Sequence, residues 1–255
     1  MAIQNSATRA RDPEVTDVAT DEWSAAEQTA SGTRESRENK TRAARAFLRD
    51  RLQGVTDACV TSSFQAGGVV ILHLLSEIAP AIPVLFLDTG YHFQETLDYR
   101  DRLAERWRLN MINVLPESTV AEQESTFGIL HQTAPDRCCT MRKVEPLFRA
   151  LEDYRVWVTG LQRNQSRSRA HLRAEENFFL PAGHRLTKLN PLAEWTPRDL
   201  WQYAEAHAIP LLPLYEQGYS SIGCAPCTSL PVDPTDPRSG RWNGRKLECG
   251  IHLQQ

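Results

Sequence analysis

Residues 57–90, DACVTSSFQAGGVVILHLLSEIAPAIPVLFLDTG, contain two short apolar runs separated by a helical pattern. The runs DACVTSSF (57–64) and IPVLFLDTG (82–90) are apolar or β-branched and are bounded by turn residues, which is typical of buried strands. Between them, VVILHLLSEI (69–78) has the pattern of a helix. A strand, a helix and a second strand in this order predict a βαβ unit with two parallel strands.

The same alternation continues toward the C-terminus. Three further strand-like runs are LNMINVLP (109–116), YRVWVTG (154–160) and LTKLNPL (186–192). A helix from Thr41 to Leu52 precedes the first strand, and the later helical patterns are FQETLDYRDRLAERW (93–107), MRKVEPLFRALE (141–152) and TPRDLWQYAEAHAI (196–209). We therefore expect an α/β fold with an open, mostly parallel sheet and helices on both faces.

Composition divides the chain into three segments. Residues 1–40 are rich in Ala, Thr, Ser, Glu and Arg without apolar periodicity, so we expect a flexible leader with a loose helix around Trp23. Residues 41–230 are the expected α/β domain. Residues 231–255 begin with a stretch rich in Pro, Gly and Ser, which predicts an irregular, mobile tail.

Size, charge and composition limit the classes of function. At 255 residues the chain can bury a sizeable core, and a net charge of −3 argues against a general nucleic-acid-binding protein. No run of about 18 apolar residues exists, so no membrane-spanning helix is expected. The first 23 residues lack the apolar core of a signal peptide, which favours a cytoplasmic protein. In that reducing compartment, six cysteines suit metal binding or catalysis better than disulfides.

The cysteines at 59, 224 and 227 stand in two different settings. Cys59 alternates with apolar residues in the first strand, which indicates core packing. Cys224 and Cys227 form a C-x-x-C in SIGCAPCTS, whose spacing lets two thiolates face one zinc ion or an iron–sulfur cluster. A redox dithiol is the alternative, although such motifs usually begin a helix after a strand.

Cys138 and Cys139 are adjacent in PDRCCTMRK, just before a helix. Neighbouring side chains point in opposite directions in extended chain, and they diverge by about 100° at a helix start. A single ion is therefore awkward for both thiolates, whereas a cluster with separate metal corners accepts them. Four thiolates from CC and C-x-x-C favour a four-iron cluster over zinc.

Cys249 lies six residues before the last one, in RKLECGIHLQQ. Terminal segments are usually the least ordered part of a domain, whereas a structural cysteine prefers burial. Position alone leaves two interpretations: an incidental thiol in a frayed tail, or a thiol that has to be reached.

Several motifs together resemble one enzyme family. In chain order they are LDTGYHFQET, CCTMRKVEPL, WVTGLQRNQSRSR, NPLAEWTPRDLWQY, YSSIGCAPCT, RSGRW and ECGIH. This combination, within residues 56–252, resembles the assimilatory sulfonucleotide reductases, specifically the iron–sulfur type that reduces adenosine 5′-phosphosulfate (APS). The resemblance implies one [4Fe–4S] cluster, held by Cys138, Cys139, Cys224 and Cys227. It also implies that Cys249 is the nucleophile.

The resemblance implies the thioredoxin-dependent reduction of APS to sulfite and AMP. Cys249 would attack the sulfur of APS, expel AMP and form an S-sulfocysteine, from which thioredoxin would release sulfite. The tail would close over APS and then swing out to meet the reductant. The anionic oxygens of APS need cations, and the candidates near the cysteines in sequence are Lys143, Arg238, Arg241 and His252.

The nucleotide is expected at the carboxyl ends of the parallel strands. The loop SSFQAGG (62–68) leads into a helix whose N-terminus can hold an anion, and Ser62 and Ser63 offer hydroxyls there. Leu87 and Gly160 would present backbone to the adenosine.

The choice between APS and its 3′-phosphorylated form, PAPS, depends on conflicting signals. Arg163 and Arg169 lie in the loop after the fourth expected strand, and the resemblance places such arginines near the nucleotide. The loop SSFQAGG differs from SFSGAED, which APS reductases often show, and is closer to the loop of cluster-free, PAPS-using enzymes. We expect a preference for APS, with weaker use of PAPS through this loop and the two arginines.

Other functions remain as alternatives. They are a PAPS-preferring reductase of the same family and an ATP-pyrophosphatase-type adenylating or thiolating iron–sulfur enzyme. The nucleotide-binding half resembles the ATP pyrophosphatases, which implies an adenine-nucleotide α-hydrolase-like fold, but their SGGxDS loop is absent. A zinc-ribbon module that binds nucleic acid is disfavoured by the acidic balance of charge.

The sequence leaves open the oligomeric state, including a homo-oligomer. Thiol chemistry supplies both electrons, so the cluster needs no redox role. We expect it instead to support the site electrostatically and structurally through Lys143.

Overall fold

The structure, a computed structural model, describes residues 18–233, 235–244, 246 and 248–252. The chain divides into two units, residues 1–39 and residues 40–255, so the tail from residue 231 belongs to the second unit. The first helix, α1 (Val18–Leu52), includes the helix expected from Thr41 and also the one expected around Trp23. Residues 1–17 of the expected leader lie outside the described residues, and its flexibility stays a prediction.

Within the described residues, one six-stranded sheet has the order β3-β2-β1-β4-β6-β5. The strands are β1 (Ala58–Thr61), β2 (Pro83–Leu87), β3 (Asn110–Val114), β4 (Val156–Val158), β5 (Glu175–Phe179) and β6 (Arg185–Leu189). All neighbouring pairs are parallel except β5 and β6, which are antiparallel. The expected mostly parallel sheet is therefore confirmed. The sequence analysis missed β5, an edge strand whose only buried residue is Phe178.

The remaining helices lie between these strands, except α8, which follows the last strand. They are α2 (Ala66–Ile78), α3 (Gln94–Trp107), α4 (Val120–Phe127), α5 (Leu130–Thr133), α6 (Pro135–Cys139), α7 (Glu145–Leu151) and α8 (Pro197–Ala206). A π-helical turn, Thr140–Val144, joins α6 to α7. Pro146, just inside α7, has no backbone N–H to continue a regular α-helical bond pattern. Among the described residues, no helix combines the length and the apolar character that crossing a membrane requires.

The sheet separates two apolar cores, as helices on both faces require. Val60 and Phe86 point to the face covered by α2, α3 and α8. Their neighbours along the strands, such as Cys59 and Leu85, point to the other face and pack with Trp157 and α7. Side chains alternate between faces along a strand, so one apolar run can contribute to both cores. Cys59 is fully buried in this way, as its pattern predicts.

Candidate active site

A cleft of about 520 Å³ lies at the carboxyl ends of the parallel strands. Thr61 and Leu87, the last residues of β1 and β2, line it together with Thr159, which directly follows β4. The opposite wall comes from the chain between residues 237 and 252. Open α/β sheets bind ligands at this edge, so the cleft occupies the position expected for a nucleotide site.

All but one of the expected nucleophile and substrate residues line this cleft. They are Ser62, Ser63, Leu87, Lys143, Gly160, Arg169, Arg238, Arg241, Cys249 and His252.

Arg163 is the exception: it does not line the cleft, and its expected place near the nucleotide stays a prediction. Its guanidinium donates a hydrogen bond to the carbonyl oxygen of Leu172 at 2.7 Å and pairs with Glu194 at 2.5 Å. These two partners hold the side chain away from the residues that line the cleft.

The loop after β1 is shaped by local hydrogen bonding and by the absence of side chains. The hydroxyl of Ser62 accepts a hydrogen bond from the backbone N–H of Phe64 at 3.1 Å, while Ser63 stays exposed. A Cβ on Gly160 would lie 2.6 Å from the carbonyl carbon of Gly67, so the start of α2 approaches the end of β4 closely only because both residues are glycine. This contact places the Ser62–Ser63 loop beside the backbone of Gly160.

Three cations interact electrostatically with the sulfur of Cys249: Lys143, Arg238 and Arg241. Burial opposes the charge of Lys143, but the sulfurs of Cys224, Cys249 and Cys139 outweigh it and raise the pKa of Lys143. Burial lowers the pKa values of both arginines from a very high starting value. An anionic group that reaches the thiol therefore enters a positively charged environment.

Arg241 and His252 carry buried nitrogens that need a partner. The Nε of Arg241 and the Nδ1 of His252 have no hydrogen-bond partner among the described residues. Arg241 is only 6% exposed and lies against Gly223, where any side chain would collide with its guanidinium. Buried polar atoms in folded proteins are nearly always hydrogen-bonded, so a polar ligand or an ordered water is expected beside both nitrogens.

His252 lines the cleft as expected, but its surroundings disfavour the positive charge expected for it. Its ring stacks on Trp157 of β4, with centroids 5.4 Å apart. Burial, followed by the positive charges of Lys188, Arg169 and Arg238, lowers the pKa of His252 well below its usual value. A neutral imidazole can exchange hydrogen bonds with a ligand but cannot neutralise one.

The four remaining thiols line one small pocket beside the cleft. Cys138 and Cys139 end α6, whereas Cys224 directly precedes a 3₁₀ turn, Ala225–Cys227, and Cys227 ends it. All four thiols are free. Burial raises the pKa of Cys138 to about 11, and the sulfurs of the other three cysteines add to the shift. The structure thus brings the CC and C-x-x-C motifs together.

The four thiols suit a cluster with several metal corners better than a single metal ion. Among the described residues, no three or more His, Cys, Asp or Glu side chains are placed to hold a single metal ion. The pocket between the thiols measures about 10 Å³. Four converging cysteine thiols match the ligands of a [4Fe–4S] cluster. The fit rests on the chemistry and convergence of the donors rather than on a preformed cavity.

Sequence reasoning missed several residues that assemble this pocket. The hydroxyl of Thr89 lies 3.3 Å from the sulfur of Cys224. Arg142, only 3% exposed, donates hydrogen bonds to the carbonyl oxygen of Thr89 at 2.5 Å and to Gln123 at 3.1 Å. Trp242 lines both the thiol pocket and the cleft. All three stand in or beside quoted motifs, but sequence does not distinguish a buried arginine from an exposed one.

The tail that carries Cys249 is held by charged contacts in the residues just before this cysteine. Lys246 pairs with Asp136, in the first turn of α6, at 2.5 Å. Glu248 pairs with Arg169 at 2.8 Å and with Arg238 at 3.5 Å. The mobility expected for this tail stays a prediction, whereas its closed position in the structure has these defined contacts.

Comparisons with known proteins give a consistent result. Residues 57–230 match the family described as "Phosphoadenosine phosphosulfate reductase domain". A protein of Rhodococcus opacus named "Adenosine 5′-phosphosulfate reductase" is 45% identical over 197 residues, which cover 76% of this chain and 77% of that protein. A protein of Mesorhizobium japonicum with the same name is 46% identical over 215 residues, or 83% of this chain and 80% of that one.

A solved structure extends the likeness to the fold. It is the phosphate complex of phosphoadenylyl-sulfate (PAPS) reductase from Candida auris. It is 26% identical and superposes with a TM-score of 0.65 over 73% of this chain and 90% of that chain.

Proposed function

Because the chain belongs to the phosphoadenosine phosphosulfate reductase family, we propose that it reduces APS to sulfite and AMP in sulfate assimilation. The relatives from Rhodococcus opacus and Mesorhizobium japonicum carry the name of that activity. The observation that carries the proposal is the position of Cys249 in a nucleotide-sized cleft, where three cations interact with its sulfur.

In the first proposed step, the thiolate of Cys249 attacks the sulfur of APS. A new S–S bond forms, the S–O bond to the phosphate breaks, and AMP leaves with the bonding electron pair. The enzyme then carries an S-sulfocysteine. Lys143, Arg238 and Arg241 lower the barrier by neutralising the sulfate and phosphate oxygens, which otherwise repel the thiolate.

In the second proposed step, a dithiol protein of the thioredoxin type attacks the sulfur of Cys249. Sulfite leaves with the electron pair of the S–S bond, and a mixed disulfide forms between the reductant and the enzyme. The second thiol of the reductant then releases Cys249, so the dithiol supplies both electrons. Tail opening exposes Cys249 to this partner.

Charge is distributed unevenly along the cleft, which suits a nucleotide with an anionic end. Among the described lining residues, the lysines and arginines are Lys143, Arg169, Arg238 and Arg241. Leu200, Trp201, Tyr215 and Tyr219 give the cleft an apolar and aromatic part. We assign the apolar part, with the backbone of Leu87 and Gly160, to adenosine.

We also propose that Cys138, Cys139, Cys224 and Cys227 hold a [4Fe–4S] cluster. When bound, the cluster would cross-link two distant segments and supply an electrostatic field beside Lys143. Lys143 lines both the thiol pocket and the cleft, and it interacts electrostatically with the sulfur of Cys224. This lysine is therefore the residue through which the pocket would support substrate binding.

Incubating the iron-loaded protein with APS in the absence of reductant should yield one sulfonate adduct per chain. Peptide mapping by mass spectrometry should place the adduct on Cys249, and addition of reduced thioredoxin should convert it to sulfite. Protein incubated with AMP and free sulfate is the control, because it lacks the activated sulfur. Sulfite release with no adduct, or an adduct on another cysteine, would contradict the proposed chemistry.

APS should be preferred over PAPS by about tenfold or more in kcat/KM. The 3′-phosphate adds roughly two negative charges, and an unpaired charged group in a partly buried site costs about 1–3 kcal/mol or more. Glu194 holds Arg163 outside the cleft and Glu248 already pairs with Arg169, so the two arginines expected to accept this phosphate are both engaged.

The comparison of the two nucleotides should be made at matched, low ionic strength, because salt screens phosphate contacts. Arg163→Ala serves as a control and should leave the ratio unchanged. A higher kcat/KM for PAPS would mean that the loop SSFQAGG is a better guide to the substrate than the four cysteines.

A further inference from the structure

Glu248 places a carboxylate among the cations of the cleft, directly before the nucleophile. Its side chain is 8% exposed and accepts four hydrogen bonds. The donors are Arg169 at 2.8 Å, Ser166 at 2.8 Å, Ser168 at 3.0 Å and Arg238 at 3.5 Å. Ser166, Ser168 and Arg169 belong to the loop after β4, far from Glu248 in sequence, so this carboxylate ties the tail to the body of the domain.

The neighbours of Glu248 fix the direction of the chain around Cys249. Lys246 pairs with Asp136 at 2.5 Å, on the side of the thiol pocket. Gly250 has a φ of +94°, a conformation that side chains rarely adopt, so the chain turns sharply just after the nucleophile. His252 then stacks on Trp157. Cys249 thus lies on a short segment with an anchor on each side.

The carboxylate of Glu248 also competes with any anionic ligand. Arg169 and Arg238 line the cleft, and both give hydrogen bonds to Glu248. An incoming phosphate or sulfate is therefore repelled by the carboxylate of Glu248. It also has to share the hydrogen bonds of Arg169 and Arg238 with that carboxylate. The contacts of Glu248 thus have two effects: they hold the tail in place, and they weaken the binding of anionic ligands.

We propose that Glu248 is a positioning residue that clasps the tail over the cleft and limits how tightly the cleft binds anions. Its effect on turnover rests on the proposed function, whereas its effects on tail closure and anion binding do not. Loss of the clasp displaces Cys249 from the cleft but leaves Lys143, Arg169 and Arg241 in place. The proposal therefore predicts opposite changes in turnover and in affinity, which general destabilisation does not produce.

Glu248→Gln, made in the full-length, iron-loaded protein, should separate these effects. Iodoacetamide should alkylate Cys249 about tenfold faster, and APS turnover should fall by roughly ten- to a hundredfold, as expected for a displaced reacting group. The affinity for ADP, in which a β-phosphate stands where APS carries sulfate, should rise by about three- to fivefold, the size typical of partly screened charge pairs. Iron content should stay unchanged.

Two further variants control this experiment. Glu205→Gln removes an equal charge from an exposed site on α8 and should change none of the measurements. The double variant Ser166→Ala, Ser168→Ala removes two contacts to Glu248 without changing the charge. It should speed alkylation by several-fold while leaving ADP affinity unchanged. This variant separates tail opening from any electrostatic effect on the thiol.

Unchanged alkylation in both Glu248→Gln and the double serine variant would overturn the clasp. Weaker ADP binding in Glu248→Gln would overturn the competition for the arginines. If the unaltered protein did not reduce APS at all, the proposed function would fail, but the alkylation and ADP measurements would still decide the role of Glu248.

Discussion

Cys249→Ser is expected to lower APS-dependent sulfite formation by at least about a thousandfold, because loss of a catalytic nucleophile has effects of this size or larger. A serine hydroxyl is essentially undissociated near neutral pH, whereas a thiol supplies a reactive anion that attacks sulfur readily. The cations around this position do not depend on the sulfur atom for their place in the fold. ADP binding and iron content should therefore equal those of the unaltered protein.

Sulfite formation, intact mass after incubation with APS, ADP affinity and iron per chain together test this expectation. Cys59→Ser is the matched control, since Cys59 is fully buried in the core between the sheet and α7. It should retain turnover and still form the adduct. If Cys249→Ser kept substantial turnover, or still formed a sulfonate adduct, another residue would have to be the nucleophile.

Replacing any one of Cys138, Cys139, Cys224 and Cys227 by Ala should remove most of the bound iron. The two pairs come from α6 and from the chain around Ala225–Cys227, and metal binding that joins distant segments is coupled to folding. We expect the Tm to fall by about 10 °C, the shift that a loss of about 3 kcal/mol produces in a domain of this size.

Iron per chain, visible absorbance and thermal unfolding measure this effect. Cys59→Ala controls for the loss of a buried thiol and should keep its iron, with only a small decrease in Tm. Cys249→Ser provides a second control, because its sulfur lies in the cleft rather than among the four thiols. Equal iron loss in Cys59→Ala and in the four variants would contradict the assignment of the ligands.

The sequence predicts the central strands well because burial on both faces leaves a strong signal. Val60 and Cys59 face opposite cores, so the run around them is continuously apolar. Edge strand β5 has no such run, since only Phe178 is buried, and its charged start resembles a loop. The π turn before α7 was also missed, because hydrophobic spacing does not reveal which carbonyl each N–H reaches.

The candidate site, like the fold, is predicted from the sequence only in part. Motifs in the right order identify the residues that meet in the cleft, but charge state and pairing depend on partners far away in the chain. His252 belongs to a motif, yet its stacking on Trp157 and the lowering of its pKa by burial require the folded sheet. Arg163 and Arg169 stand in the same loop. Only the structure shows that one faces Glu194 and the other faces Glu248.

The contact between Gly67 and Gly160 has a consequence for inhibitor resistance. A substitution at either residue would force the backbone of α2 away from the end of β4, so neither position tolerates a side chain that could block a bound compound. Gly160 lines the cleft. A compound that recognises the backbone there would contact a surface that mutation cannot reshape without damaging the site itself, and resistance would have to arise elsewhere in the cleft.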